Sequence, residues 1–323
     1  MAGILIIADA TTGPAAPAFL ELATAGAALA QASGEPLIGA LIGDDNAANH
    51  QSLAAVVNTL YLIEGSHDRV YTAQSCIAAA QAAIAATSPS IVLFAHTLEA
   101  REWVPQLAAR LDTGLVMDCV AFGIEDDALV VTKPVYGGGV WGEFAIRGIP
   151  RMATLRSGIF EPAVAGSRRE LVRLPVTAPS DGAVTVLDQA AAAAGGGVKL
   201  KDAKIIVAGG RGLGGADNWH FIEDAAAALG AAVACSRPLA DSGWVPSAYQ
   251  VGLSGTSVKP DVYIAVGISG AVQHVAGISA ARTVVAINTD ADADIFTRAD
   301  YGVVGDYREV LPAFIERIKQ LQS

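Results

Sequence analysis

Short β-branched runs alternating with alanine-rich stretches constrain this chain more than any other feature. Ile4–Ala8, Leu37–Ile42, Leu60–Ile63 and Ile91–Ala95 read as strands, with helical stretches near 15–32 and 73–87 between them. Such alternation implies parallel strands joined by helical crossovers. After about residue 112 the helical pattern stops, and Val116–Ile124, Ala128–Tyr136, Phe144–Ile146 and Met152–Arg156 read as further strands extending the same sheet. From Lys201 the rhythm restarts, with strands at Ala203–Ala208, Ala232–Cys235, Val262–Val266 and Thr283–Ile287. Helices are expected there at about 217–229 and 270–277, with a closing helix near 307–321.

A chain of 323 residues exceeds what one hydrophobic core usually serves, so two α/β domains are expected. Its apolar content of 52% with only 6% aromatic residues comes from small and branched side chains, which suit buried parallel sheets covered by helices. The segment Thr177–Gly197, with Pro179, Asp181, Gly182 and an alanine run into three glycines, suits a connection. The domains are accordingly placed at 1–198, with a linker at 178–198, and at 199–323.

A net charge of −11 without any basic run argues against nucleic acid or an anionic membrane as partner. The uncharged stretch Val70–Leu98 is long enough to span a bilayer. Its Pro89, Gln74, Gln81, Thr87, Ser88 and Ser90 favour a soluble helix followed by a strand instead. Cys76, Cys119 and Cys235 are odd in number and lack metal-ligand spacing, as expected of thiols in a reducing compartment. The chain opens directly on an apolar strand with no basic leader, so a cytoplasmic location is expected. Neither a metal cluster nor a nucleophile–His–carboxylate signature is visible, so no catalytic residue is assigned.

The turns after the second set of strands carry the functional signal. Gly209–Gly215 follows a strand and precedes a helix, so its backbone could cradle a phosphate, and Gly210, Gly212 and Gly215 make a literal G-x-G-x-x-G. A tight structural turn explains that match equally well. The acidic residue that a standard NAD site wants about 20 residues on is missing, because that strand ends in Cys235-Ser236-Arg237. A second strand-to-helix turn, Gly267–Gly270, and a strand end at Asn288 fall on the same carboxyl edge, which suggests a dinucleotide. Arg237, Ser254, Gln273 and His274 are polar candidates for contact with a redox ring. For Arg237 a surface ion pair, and for His274 a structural hydrogen bond, remain open alternatives.

The ordered blocks AGGRGL at 208–213, SR at 236–237, D-x-G-W-V-P at 241–246, QVG at 250–252, YIAVGISGAVQHVAG at 263–277, VAIN at 285–288 and ADYGVVGD at 299–306 resemble the flavin-binding domain of electron-transfer flavoprotein alpha subunits. ILIIAD, KPVYGGG at 133–139 and TLRSGIFEP at 154–162 resemble the same family's first domain. The resemblance implies an N-terminal parallel-sheet, nucleotide-hydrolase-like α/β domain that contacts a beta subunit, and a C-terminal doubly wound α/β FAD-binding domain. It further implies that Arg211 and Ser236 line the FAD site, that Arg237 lies over the flavin ring, and that Ser254 offers its hydroxyl toward N5. Ser269, Gly270, Gln273 and His274 would surround the pyrophosphate and the N1/C2-carbonyl side. Asn288 and Asp306 would hold the adenosine half, and Gln250, Val251, Gly252, Leu253, Gly267, Ala271, Val272 and Tyr307 would complete the contact surface.

Three segments depart from the family pattern: Leu253-Ser254-Gly255-Thr256 stands where Q-T-G-K is common, Cys235-Ser236-Arg237-Pro238 where A-S-R-A is frequent, and Asn288-Thr289-Asp290 where N-K-D is usual. The implied function is an electron carrier, a heterodimer subunit whose FAD takes electrons from flavoprotein dehydrogenases and gives them to a quinone oxidoreductase or another acceptor. A bifurcating relative with a second flavin in the partner subunit, and a non-redox nucleotide-binding protein, are the alternatives.

Overall fold

In the computed structural model, which describes residues 3–10, 16–43, 47–65, 71–164, 166, 170–177, 200 and 203–322, β1 (Ile4–Asp9) runs through the middle of a seven-stranded sheet. The first unit continues with α1 (Ala16–Ser33), β2 (Leu37–Ile42), α2 (Ala47–Ala54), β3 (Thr59–Gly65), α3 (Ala73–Thr87), β4 (Ile91–Ala95) and α4 (Leu98–Arg110). It then carries β5 (Leu115–Cys119), β6 (Ala121–Glu125), β7 (Ala128–Val135), β8 (Val140–Ile146), β9 (Arg151–Leu155) and β10 (Glu170–Val176). The large sheet has the order β10-β3-β2-β1-β4-β9-β5, and its strands pair in parallel throughout.

The period of two along β1 divides its side chains between two cores. Ile4, Ile6 and Ala8 pack with Phe19, Leu22 and Leu29 of α1, while Leu5 and Ile7 pack with Ile77 and Ala80 of α3 and with Trp103, Val104 and Leu107 of α4. Each such Ile or Leu side chain contributes about 1.5–3 kcal/mol through burial. The described part of the uncharged stretch, residues 71–98, contains the 15-residue helix α3 and the strand β4. Thr72 caps that helix by accepting the Ser75 backbone N–H at 3.2 Å, and Ser88 ends it in the left-handed region at φ 45°. Among the described residues no helix is long and apolar enough to cross a membrane.

The expectation that every strand after residue 112 extends the first sheet needs correction. β5 and β9 do join it, but β6, β7 and β8 form a separate three-stranded antiparallel sheet. The apolar run Val116–Ile124 breaks because Asp118 takes φ 68° and the pairing with β9 shifts register between Val116 and Cys119. Leu129, Val131 and Ile146 of the small sheet then pack into the core beneath α1.

The chain divides into two compact units, Met1–Ala190 and Ala191–Ser323. The expected linker at 178–198 lies outside the described residues. The second unit consists of β11 (Ile205–Gly209), α5 (His220–Leu229), β12 (Ala232–Cys235), α6 (Arg237–Asp241), β13 (Val262–Val266), α7 (Val272–Gly277), β14 (Thr283–Asn288), α8 (Ile295–Arg298), β15 (Tyr301–Val304) and α9 (Tyr307–Gln322). Its five strands are all parallel in the order β12-β11-β13-β14-β15. Ile206, Ala208, Tyr263 and Ala265 face a core with Ile278 and Ile295, whereas Val207, Ile264 and Val266 face α5 and α9 through Ile222, Ala225 and Leu311. The chain winds outward in both directions from between β11 and β13, which creates a crevice at their carboxyl ends.

Candidate cofactor-binding site

Because the five strands of the second unit are parallel, the turns that follow them gather at one edge. The turn after β11 and the turn after β13 interlock backbone to backbone. Gly210 donates its N–H to Val266 O at 2.8 Å and Gly212 to Gly267 O at 2.9 Å. A Cβ on Gly210 would lie 2.3 Å from the Gly267 oxygen, and one on Gly212 would lie 2.8 Å from Gly267 Cα. The literal G-x-G-x-x-G thus owes two of its glycines to the packing of one turn on the other. It does not open a helix directly, since two 3-10 turns, Arg211–Leu213 and Ala216–Trp219, precede α5. Arg211 lies exposed on the first of these.

The segment after α6 returns to the same edge. Val251 donates its N–H to Cys235 O at 3.0 Å, and Gln250 bridges Cys235 in parallel. This sets the loop Gln250, Val251, Gly252, Leu253 and Ser254 beside Ser236 and Arg237. A short tie links the loop to the start of α7, where Leu253 N–H donates to Gln273 O at 2.8 Å. Ser254 is exposed, and its Oγ accepts from Gln250 Nε2 at 2.8 Å. Ser236 is buried and its side chain makes no capping bond to α6. Arg237 is exposed and pairs with Asp241 at 3.1 Å, four residues on.

The turn after β13 presents Ser269, Ala271, Val272 and Gln273 to solvent, whereas Gly267 and Gly270 take positive φ, 61° and 92°. A Cβ on Gly270 would sit 2.1 Å from Ile295 N, so only glycine allows this turn to lie on α8. Asn288 ends β14 with its side chain committed: Nδ2 donates to Ile268 O at 3.0 Å and Oδ1 accepts from Asp290 N at 3.1 Å. Asp306 follows β15 and accepts the Arg308 N–H at 2.9 Å. Tyr307 is buried, and its hydroxyl donates to Leu213 O at 2.9 Å, which clamps α9 to the first glycine turn.

His274 is also an inward-facing residue. Its Nδ1 lies 3.1 Å from Val251 O and its Nε2 lies 3.0 Å from the Tyr263 hydroxyl. A carbonyl can only accept, so Nδ1 carries the proton and Nε2 accepts from Tyr263. Burial pushes the His274 pKa down to about 4, so the ring is neutral at pH 7. Positive charge at this edge therefore comes from arginines, Arg211 and Arg237 among them, and not from His274. Tyr263 belongs to no functional pattern in the sequence, although its hydroxyl, buried within β13, requires a partner, and that requirement is its signal.

The first unit gathers a polar cluster at the carboxyl ends of β4, β5 and β9. Arg156 grips Asp118 with two bonds, Nε to Oδ1 at 2.8 Å and Nη2 to Oδ2 at 2.6 Å. Thr154 Oγ1 accepts the Asp118 backbone N–H at 2.8 Å and meets His96 Nδ1 at 2.8 Å. Burial alone would raise the Asp118 carboxyl, but the Arg156 guanidinium overrides it and holds it below the ordinary range. Burial lowers the His96 pKa. No group of three His, Cys, Asp or Glu side chains able to hold a metal occurs among the described residues.

The fold and the carboxyl-edge site define an α/β protein whose second unit is built to bind a dinucleotide. Residues 4–192 match the electron transfer flavoprotein domain family, and residues 199–279 match the electron transfer flavoprotein FAD-binding domain family. The alpha subunit of the electron transfer flavoprotein from Thermoanaerobacterium thermosaccharolyticum is 40% identical over 238 residues, 72% of each chain. Those from Bacillus subtilis and Mycobacterium tuberculosis are both 36% identical, over 88% and 99% of each chain respectively. The chain belongs to the electron transfer flavoprotein alpha-subunit family, and its cofactor is FAD.

The residues present fit that group. Exposed donors on Ser254, Ser269, Gln273, Arg211 and Arg237 suit an acceptor-rich ring and a pyrophosphate, and β12 ends without the carboxylate that an NAD ribose needs.

Proposed function

We propose that the chain is the FAD-carrying subunit of a heterodimer with a beta subunit, taking electrons from flavoprotein dehydrogenases and passing them to a quinone oxidoreductase or another acceptor. The observation that carries this reading is the convergence of the 250–254 loop, Ser236-Arg237 and the Gly267–His274 turn on one carboxyl edge. FAD supplies the one- and two-electron chemistry when bound, and the protein supplies binding, orientation and electrostatics.

In this reading Arg237 lies over the ring, where its charge favours the electron-rich forms, and Ser254 directs its hydroxyl to N5. Arg211 and Ser236 line the site. Ser269, Gly270, Ala271, Val272 and Gln273 bracket the pyrophosphate, with Asn288 and Asp306 on the adenosine half. His274 acts as a neutral strut that joins α7 to the 250–254 loop, which also contributes Gln250, Val251, Gly252 and Leu253. Gly267 and Tyr307 hold the first glycine turn in place. The domain boundary is put near 199, and three buried cysteines that form no disulfide support a reducing, cytoplasmic compartment.

Co-expression with the partner subunit, followed by the visible spectrum and the flavin-to-protein ratio, tests the proposal. One FAD per heterodimer fits the simple carrier. Two flavins point to the bifurcating relative, and a colourless protein that cannot take up FAD rejects a redox role.

A further inference from the structure

We propose that Gln250 is a positioning residue that fixes the Ser254 hydroxyl as an outward hydrogen-bond donor. Gln250 is 8% exposed, and its backbone is held on both sides: N–H to Ser247 O at 3.0 Å, and carbonyl from Thr256 N–H at 2.8 Å. Its side chain therefore has a fixed origin. Nε2 lies 2.8 Å from Ser254 Oγ, and an amide nitrogen can only donate. Ser254 Oγ must accept in that contact, which leaves its single proton to point elsewhere. Ser254 is exposed at the carboxyl edge, so that proton is free to turn toward a ligand there.

The consequence for the cofactor rests on the reading above that Ser254 meets flavin N5. In the oxidised ring N5 offers a lone pair, and after two-electron reduction it bears a hydrogen. A Ser254 held as a donor matches the first form and opposes the second. Gln250 thereby biases the site toward the oxidised ring through Ser254.

The test compares affinities of the heterodimer for FAD and for 5-deaza-FAD, whose C–H at position 5 cannot accept a hydrogen bond. The wild-type protein should favour FAD by about tenfold, the factor carried by one net hydrogen bond. Ser254→Ala should bring the ratio close to one. Gln250→Glu, measured at pH 8, replaces the donor by an acceptor that captures the Ser254 proton, and its ratio should also fall close to one. Gln250→Met keeps the bulk but leaves the hydroxyl unbiased, and an intermediate ratio of about threefold is expected. Far-UV circular dichroism of each holo-protein checks the fold.

A preference that vanishes in Ser254→Ala but survives in both Gln250 variants overturns the role of Gln250 and leaves the N5 reading standing. A wild-type ratio near one, unchanged by Ser254→Ala, overturns the N5 reading and this proposal together.

Discussion

Replacing Gly210 by Ala places a methyl group against the turn that follows β13. The new Cβ would lie 2.3 Å from Gly267 O, and 2.7 Å from both the Gly267 carbonyl carbon and Ile268 Cα. All three are backbone atoms, so no rotamer change relieves the overlap, and the two turns must separate. The φ of Gly210 is −116°, which any residue adopts, so the cost is purely steric. Overpacking of this kind costs about 1–3 kcal/mol. Separation also stretches the Gly210–Val266 and Gly212–Gly267 hydrogen bonds, each worth about 1 kcal/mol.

A loss of about 3–4 kcal/mol corresponds to a melting temperature roughly 10–15 °C lower for a unit of this size. Gly214→Ala is the control: φ is 81°, nothing lies within 4 Å of its Cβ, and the strain alone costs about 1 kcal/mol. Calorimetry of the apo-protein reads both variants. If Gly210→Ala melts within a few degrees of Gly214→Ala yet fails to bind FAD, the glycine serves the ligand directly and the interlock account is wrong.

Three further outcomes follow from the same geometry. His274 titrates at about 4 in the fold against 6.5 unfolded, so the unfolded chain gains a proton that the folded one refuses. Stability should therefore fall as pH drops from 6.5 to 4, by up to about 3 kcal/mol, with no further loss from this group below 4. Urea unfolding across that window should be steeper in pH for wild type than for His274→Gln, and equal slopes would refute a neutral, buried ring. Arg237→Ala should retain FAD but lower the flavin potential by about 20–60 mV, a range set by the 59 mV per tenfold scale and reduced by the exposure of the side chain. An unchanged potential removes Arg237 from the ring. Asp118→Ala strips Arg156 of a carboxylate held by two hydrogen bonds and leaves a non-glycine residue at φ 68°, at a cost of about 2–3 kcal/mol by denaturant titration. A loss below about 1 kcal/mol would show that the cluster does not hold the bend.

Burial decided which parts of the fold could be read from the residues. β1, β2 and β4 are contiguous apolar runs because helices cover both faces of the sheet, and their limits are plain in the sequence. α4 stayed hidden because it is polar on one side and carries Pro105. β10 is an edge strand interrupted by Pro175, and all four residues of β15 are exposed. At the site, the strand ends and glycine turns were legible as local patterns. The inward commitment of His274 was not, because it depends on a hydroxyl eleven residues earlier in β13 and a carbonyl from another loop. Likewise, Gly210 looks like part of a phosphate loop until the facing turn of Gly267 is in place.

FAD binding by the purified heterodimer, wild type against a variant with both Ser236→Ala and Ser254→Ala, tests most directly whether the carboxyl edge of the second unit holds the cofactor. The wild type should show a flavin spectrum with FAD bound, and the double variant an affinity weakened by about 10–100-fold, as loss of two hydrogen bonds implies. A heterodimer whose FAD affinity is indifferent to both hydroxyls would place the cofactor elsewhere and contradict the site described for the second unit.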